Sequence, residues 1–262
     1  MPLDDYTEDT FTHDGKTRTV YRQGDGPAVV VIAEMPGITP NVVAFADRVA
    51  AAGFTAVLPH LFGGVPAAVG PSVVPTLAAA CVSHEFTVMA TRRTSPVIEW
   101  LKALGRHEHE RCGGPGIGVV GMCFTGGFAL AMMVDDAVLA PVLSQPSLPF
   151  AITSAQKRDL GVGDADLARV KERAAGGVGV LGLRFTCDRA APAERFERLR
   201  DELGDAFVAV EIDSGKGNPH GIPRMAHSVL TEHLVDEPGH PTRAAVDQVL
   251  ALFTTRLLVP AE

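Results

Sequence analysis

The 262-residue chain lacks several features that mark particular classes of protein. It has four cysteines without regular spacing, which argues against a disulfide framework. It has no run rich in lysine or arginine, and its net charge is −8, so a nucleic-acid-binding surface is not expected. It also has no repeat with a period of roughly 20–50 residues and no low-complexity linker, which argues against a repeat architecture.

Long hydrophobic runs are absent as well. The most apolar segment, residues 128–134, is too short to span a bilayer and is followed by Asp135 and Asp136. The first fifteen residues (MPLDDYTEDTFTHDG) are acidic and polar, unlike a secretory or transit signal. These absences predict a cytoplasmic protein that does not bind membranes.

What the sequence does have is an alternation of short apolar runs and longer helical patterns. Its length and its hydrophobic content of 46% suit one α/β domain over residues 1–262. Near-continuous apolar runs at residues 28–33, Thr55–Pro59 and Ile117–Met122 predict buried strands. Further strands are predicted at residues 17–21 (an edge strand), 137–143, 178–185 and Phe207–Ile212, and helices at residues 41–52, 74–104, 125–134, 191–203 and 243–257. This alternation predicts a mostly parallel central sheet with helices on both faces, and functional sites at the carboxyl ends of its strands.

Cys123 lies where a predicted buried strand ends and a helix begins, within the segment GMCFTGG. The pattern is close to G-x-nucleophile-x-G, with cysteine in place of serine. A sharp strand-to-helix turn exposes such a side chain, and the free amides at the helix start can stabilise a thiolate and an oxyanion. The alternative is a small apolar side chain that fills the junction. Gly116, Gly118 and Gly121 fit a dinucleotide-binding pattern, but they do not follow a strand as that pattern requires.

Candidate partners for Cys123 follow other predicted strands. Asp188 lies in the loop after residues 178–185, either as a triad acid or as a helix cap, and Asp213 competes with it after the next strand. Glu34 comes directly after the strand at residues 28–33, and because an unpaired buried carboxylate is costly, it either pairs or belongs to a site. The candidate bases near the end of the chain are His220, His227, His233 and His240.

Five segments, in this order, resemble those of the dienelactone hydrolase family of α/β-hydrolases, over residues 28–253. VVVIAEMPGI resembles the family's glutamate-bearing segment, and GFTAVLPHLFGG a further segment in which His60 stands where aspartate is usual. GVVGMCFTGG resembles its cysteine elbow, FTCDRAAP its acid loop and AHSV its histidine segment. The resemblance implies an α/β-hydrolase fold.

The resemblance also carries over to individual positions of this sequence. It implies a triad with Cys123 as the nucleophile, Asp188 as the acid and His227 as the base. It also implies that Glu34 helps to switch the thiol to thiolate, and that the backbone N–H groups of Phe124 and Met35 form an oxyanion hole.

Two departures from the family pattern lie close to the implied site. Thr125 stands two residues after Cys123, where the family usually has glycine, so the turn is expected to differ slightly. His227 is followed by Ser228 and Val229 rather than by the more usual aromatic residue.

The arginines that bind a substrate carboxylate in the best-known members are also missing from their expected places. One of these places is about Thr231, and the other, residues 81–84, contains no arginine. Arg92, Arg93 or Arg224 could substitute for these arginines. Because the arginines are missing from their expected places, dienelactone itself is not the expected substrate.

The run HEHE at residues 107–110 invites a zinc-binding interpretation. It lies between a predicted helix end and RCGGPG, so it is predicted to form an exposed turn without the fixed geometry and supporting contacts that zinc needs. We therefore expect neither a metal site nor a cofactor.

The sequence predicts a hydrolase that cleaves a small carboxylic ester or lactone. Cys123 attacks the carbonyl group to form an acyl-cysteine, and His227, oriented by Asp188, moves the protons. The alternative is a non-catalytic small-molecule-binding or regulatory protein on the same fold, which the missing arginines leave open. The sequence alone decides neither the oligomeric state nor the choice between His220 and His227 as the base.

Overall fold

The computed structural model describes residues 3–65, 95–148 and 153–258 of the chain. Its sheet has eight strands. They are β1 (Thr7–His13), β2 (Lys16–Gln23), β3 (Ala28–Ile32), β4 (Thr55–Pro59), β5 (Ile117–Met122), β6 (Val138–Ser144), β7 (Val180–Phe185) and β8 (Phe207–Ile212). Their order across the sheet is β1-β2-β4-β3-β5-β6-β7-β8. β2 pairs antiparallel with β1 and β4, and the other pairs are parallel.

Helices cover both faces of this sheet. In the described ranges they are α1 (Pro40–Ala51), α2 (Pro96–Cys112), α3 (Gly126–Met132), α4 (Ser154–Arg158), α5 (Asp164–Ala175), α6 (Ala193–Leu203) and α7 (Pro241–Phe253). Buried side chains of α2, α3, α5 and α6 form one apolar core, and those of α1 and α7 form the other. Neighbouring residues of β5 point into opposite cores, since Val119 belongs to the first and Val120 to the second. The predicted α/β class is thus confirmed.

Several predicted elements differ from those of the structure. The strand at residues 17–21 is not an edge strand, because β1 pairs along its outer side. β1 was not predicted, since most of its side chains are exposed and show no apolar alternation. α5 was also missed, because a mainly polar sequence (DADLARVKERAA) buries little more than Leu167 and Val170 of its apolar side chains.

The helical region predicted at residues 74–104 lies partly outside the described residues, which resume at Ser95. From Pro96 the helix α2 continues through Cys112, well beyond the predicted end. The run HEHE is therefore helical, and the prediction of an exposed turn there is wrong.

The parallel strands bring distant parts of the sequence together at one edge of the sheet. Since β3, β5, β6 and β7 are neighbours, the residues that follow them converge. These residues are Glu34, Cys123, Gln145 and Asp188. Within the described ranges, no helix has both the length and the apolar character needed to cross a membrane.

Candidate active site

Cys123 occupies a tight turn between β5 and α3. It begins a 3-10 turn, Cys123–Thr125, and its φ of 54° lies in the left-handed region, which non-glycine residues adopt at a cost of about 1–3 kcal/mol. The turn requires glycine on both sides. A Cβ atom on Gly121 would lie 2.1 Å from the carbonyl oxygen of Thr125, and one on Gly126 would lie 2.6 Å from the Cα of Pro146. The surrounding backbone thus holds the thiol in a sterically unfavourable but well-defined position.

Thr125, which departs from the family pattern, fits this turn and connects two strands. Its side chain is fully buried, and its hydroxyl accepts a hydrogen bond from the Met122 N–H at 2.9 Å. The same hydroxyl lies 2.9 Å from the carbonyl oxygen of Ile32, to which it can donate. It therefore ties the end of β5, which bears Cys123, to the end of β3, which bears Glu34.

Asp188 and His227 form a direct pair. Asp188 is buried in the loop after β7, and its Oδ2 lies 2.6 Å from Nδ1 of His227. Its Oδ1 accepts a hydrogen bond from the Ala190 N–H at 2.9 Å, which fixes the carboxylate. With Nδ1 turned towards Asp188, the ring presents Nε2 to the thiol of Cys123.

The surroundings of His227 favour its charged form. Burial lowers the pKa of this ring, but the hydrogen bonds with Asp188 and Cys123 outweigh burial and raise the pKa of His227 to about 10. At neutral pH the ring is consequently protonated, and its Nε2 can share this proton with the thiol of Cys123 or give it to a group bound next to that thiol.

The rival acid and bases lie outside this arrangement. Asp213 is exposed and accepts a hydrogen bond from the N–H of Gly215 in its own loop. His220 is exposed and packs against the ring of His240, with 5.2 Å between the ring centroids. His233 supports the site indirectly, since its Nδ1 accepts from the Ser228 N–H at 3.3 Å. Burial and the neighbouring charge of His227 lower the pKa of His233.

Glu34 is buried among uncharged hydrogen-bond donors. Its side chain is only 4% exposed. Its Oε2 accepts from the Ser228 hydroxyl at 2.6 Å and from the Gln145 Nε2 at 3.2 Å, while its Oε1 accepts from the Thr231 hydroxyl. Burial raises the pKa of Glu34, although the bonds from Ser228 and Thr231 oppose that shift.

Gln145 was not predicted as a site residue, although it follows β6 as Cys123 follows β5. It is fully buried with a φ of 35°. Its Oε1 accepts from the Val229 N–H at 3.2 Å and from the Ser144 hydroxyl, so its amide nitrogen points to Glu34. A search of every strand end would have found it. Ser228 and Thr231 gave no comparable signal, because they lie in irregular chain beyond β8.

Glu34, Cys123 and His227 come together as one cluster. A carboxylate oxygen, the Sγ atom and a ring nitrogen all lie within 4.8 Å of one another, and this is the one group of its kind in the described ranges. Phe124 follows Cys123 in the 3-10 turn, and Met35 follows Glu34, so both predicted oxyanion-hole residues flank the cluster along the chain.

A cavity of about 480 Å³ opens beside the Asp188–His227 pair. It is lined by Cys187, Asp188, Arg189, Ala190, Arg224, Met225 and His227. Of these residues, Arg189 and Arg224 are exposed arginines. Arg92 and Arg93, the other arginines predicted as substitutes, lie outside the described residues. A second cavity, of about 660 Å³, is lined by residues of β7, β8 and α7 and contains none of the predicted site residues.

The run HEHE does not form a site. Glu108 is fully buried and bound by Arg22 and Arg111, with the Arg22 Nη2 at 2.6 Å and the Arg111 Nε at 2.8 Å. His107 stacks on Phe11, whereas Nε2 of His109 lies 3.0 Å from the carbonyl oxygen of Gly114. His107, Glu108 and His109 therefore make separate structural contacts.

The model of the dienelactone hydrolase family matches residues 16–233 of the chain. Similar solved structures include a dienelactone hydrolase from Anabaena variabilis, with 14% identity, a TM-score of 0.61, and coverage of 97% of this chain and 99% of that one. A dienelactone hydrolase-like promiscuous phosphotriesterase, P91, from metagenomic libraries has 16% identity, a TM-score of 0.60, and coverage of 96% and 98%. Est1E from Butyrivibrio proteoclasticus has 12% identity, a TM-score of 0.58, and coverage of 95% and 98%. No curated protein matches the sequence. At these identities the structures establish the α/β-hydrolase fold alone.

Proposed function

The chain belongs to the dienelactone hydrolase family, and we propose that it hydrolyses carboxylic esters or lactones through an acyl intermediate on Cys123. The observation that carries this proposal is the position of the His227 ring, which pairs with Asp188 at 2.6 Å through Nδ1 and has a ring nitrogen within 4.8 Å of the Cys123 sulfur. Nucleophile, base and orienting acid follow the triad arrangement.

In the first half of the reaction, the Cys123 thiolate attacks the carbonyl carbon of the substrate. The carbonyl oxygen becomes an oxyanion, which the N–H groups of Phe124 and Met35 stabilise. When the C–O bond to the leaving group breaks, Nε2 of His227 gives its proton to the departing alkoxide. The products of this half are an alcohol and a thioester on Cys123; from a lactone, the alcohol stays attached to the acyl group.

In the second half, the neutral ring of His227 takes a proton from water, and the resulting hydroxide attacks the thioester. The bond between carbon and sulfur breaks, and the electron pair returns to Sγ of Cys123. Asp188 holds the ring in one tautomer throughout and stabilises its charged form.

Glu34 acts on the charge state of the thiol. Its carboxylate lies within 4.8 Å of the thiol sulfur, so a negative Glu34 opposes a second negative charge on Cys123. The hydrogen bonds from Ser228, Thr231 and Gln145 disperse the charge of the carboxylate and hold it in place. We propose that Glu34 sets the fraction of thiolate in the resting site.

The cavity beside the pair favours a substrate with an anionic group. Arg189 and Arg224 both line it, in a protein whose net charge is −8. An arginine binds a carboxylate with charge-assisted hydrogen bonds, which makes Arg224→Gln a direct test. With a pair of esters that differ only in a carboxylate, this variant is expected to raise KM for the anionic ester alone. Arg243→Gln, in α7, is the matched control.

The central experiment measures hydrolysis of a panel of p-nitrophenyl esters and lactones by Cys123→Ala and Cys123→Ser. Both variants are expected to lose activity, whereas Cys112→Ala, which changes a half-buried thiol at the end of α2, retains it. Rapid quenching and mass spectrometry should show an acyl group on Cys123 in the wild type. Full activity in both Cys123 variants would refute the mechanism. An inactive wild type on every substrate would favour the binding-protein alternative.

A further inference from the structure

The cluster of Glu34, Cys123 and His227 suits a divalent metal ion as well as an ester. We propose that it binds one Zn²⁺ ion and that the bound ion inhibits the enzyme. The inhibitory part rests on the proposed function, whereas the binding part depends on the side chains alone. The run HEHE at residues 107–110 is not the candidate metal site, because His107 stacks on Phe11 and Glu108 is bound by Arg22.

The donor atoms are those that zinc prefers. A cysteine thiolate, an imidazole nitrogen and a carboxylate oxygen are its usual protein ligands, and three such ligands leave a fourth position open. In a tetrahedral zinc site these atoms are about 3.3–3.7 Å apart. Here they lie within 4.8 Å of one another, so the side chains need to close by on the order of 1 Å.

The groups behind two of these ligands already hold them in place. The Oδ2 of Asp188 accepts the Nδ1–H of His227 at 2.6 Å, so Nε2 is the ring nitrogen that faces the cluster. This carboxylate–histidine pair is the usual support of a zinc-bound imidazole. Ser228 and Gln145 fix the Glu34 carboxylate in the same way.

Glu34 retains capacity for a metal ion despite these contacts. An ionised carboxylate offers about four lone-pair positions, and its described partners are Ser228, Thr231 and Gln145. A divalent cation would also compensate the negative charges of Glu34, Asp188 and a Cys123 thiolate, which lie close together in a mostly buried site.

Binding removes the nucleophile from the reaction. The sulfur, Nε2 and the carboxylate oxygen each donate an electron pair to Zn²⁺, and the proton shared by Cys123 and His227 is released to solvent. The electron pair with which the Cys123 thiolate would attack a carbonyl group is then bound to the ion. Water or a substrate oxygen takes the fourth position, so the ion blocks the site without oxidation or covalent modification.

The test is a titration of chelator-treated protein with Zn²⁺, in competition with a chromophoric chelator and without any ester. We expect one ion per chain, loss of this binding in Cys123→Ala and Cys123→Ser, and no change in Cys112→Ala. Asp188→Asn should weaken binding by about 10–100-fold, as expected for loss of a group that supports a metal-bound histidine. With Co²⁺ as the probe, the wild type should show thiolate-to-cobalt charge-transfer absorption that both Cys123 variants lack.

Two results would overturn the proposal. One is no binding by the folded wild-type protein, and the other is wild-type affinity in both Cys123 variants. A separate assay then adds Zn²⁺ to the enzyme with an ester, and we expect inhibition that EDTA reverses. Hydrolysis that persists with Zn²⁺ bound refutes the inhibitory part. Binding at Cys123 in a protein that hydrolyses no ester refutes the proposed function and leaves the metal site standing.

Discussion

Two buried glutamates, Glu34 and Glu108, lie in different parts of the molecule and have opposite surroundings. Glu108, in α2, is fully buried and receives hydrogen bonds from the guanidinium groups of Arg22 and Arg111. Glu34, after β3, is 4% exposed, and its hydrogen bonds come from the hydroxyls of Ser228 and Thr231 and the amide of Gln145. The hydrogen bonds to Glu108 thus come from charged groups, whereas those to Glu34 come from neutral groups, and the nearby ring of His227 is its charged neighbour.

The difference separates a structural carboxylate from one that can change its proton count. An arginine stays charged and can only donate hydrogen bonds, so Arg22 and Arg111 hold Glu108 through charge-assisted hydrogen bonds. The hydroxyl of Ser228 or Thr231 can turn and present its oxygen instead, so Glu34 can exist with or without its proton. This freedom is what a group needs if it is to respond to Cys123 and His227.

The same substitution at both sites should therefore have opposite results. Glu108→Gln leaves the buried Arg22 opposite a neutral amide, and removal of one partner of a buried ion pair costs about 3–5 kcal/mol. We expect a loss of about 3 kcal/mol in the free energy of unfolding, because Asp9 at 3.3 Å partly compensates Arg22. Urea denaturation followed by circular dichroism measures this loss. Activity per folded molecule should stay unchanged, and a loss below 1 kcal/mol would mean that Glu108 is no structural anchor.

The two glutamates also show which features of the molecule could be predicted from the sequence. Glu34 was found because it ends a predicted strand, and strand ends depend on local patterns that can be read from the chain. The buried state of Glu108 could not be read locally, because it depends on Arg22 in β2, which is distant along the sequence. The prediction of an exposed turn failed for a local reason, because the apolar pattern of α2 weakens before the helix ends at Cys112.

The candidate site divides in the same way. The positions of Cys123 and Asp188 follow from the strand–helix alternation, and family resemblance supplied the choice of His227. The partners of Glu34 could not be predicted, because Ser228 and Thr231 reach it from an irregular segment whose path no periodic pattern describes. Thr231 stands near the place of a missing arginine, and only the structure reveals its contact with Glu34.

Glu34→Gln is the matched substitution in the site. The new amide oxygen can still accept from Ser228 and Gln145, and the Thr231 hydroxyl can turn to accept from the new amide nitrogen. We therefore expect the free energy of unfolding to change by less than about 1 kcal/mol. Esterase activity should fall by roughly 100-fold, the lower end of the effect of a group that takes part in proton transfer. Steady-state kinetics and urea denaturation on the same preparation check both expectations. A stable variant with full activity would remove Glu34 from the mechanism.

Thr231→Val tests one of the neutral donors. Valine keeps the shape of threonine but cannot donate to Glu34, and an unsatisfied buried group costs about 1–2 kcal/mol. We expect that loss in the free energy of unfolding, together with a shift in the pH profile of ester hydrolysis, since the bond from Thr231 lowers the pKa of Glu34. Thr231→Ser restores the hydroxyl and should restore both properties. If Thr231→Ser behaves like Thr231→Val, the hydroxyl is not what matters.

The smallest expected effect is a difference in how stability depends on pH. Burial raises the pKa of Glu34 in the folded protein above its value in the unfolded chain. Between these two values the folded state holds a proton that the unfolded state has lost, so the contribution of Glu34 to stability falls as pH rises. That contribution is complete below the ordinary glutamate pKa and is lost as pH passes through the raised one.

Urea denaturation of the wild type and Glu34→Gln at a series of pH values from 4.5 upwards isolates the contribution of Glu34, since the other titrating groups are common to both proteins. The stability of the wild type relative to the variant should decline over this range, and a relative stability that rises with pH would mean that the hydrogen bonds from Ser228 and Thr231 outweigh burial and keep Glu34 ionised.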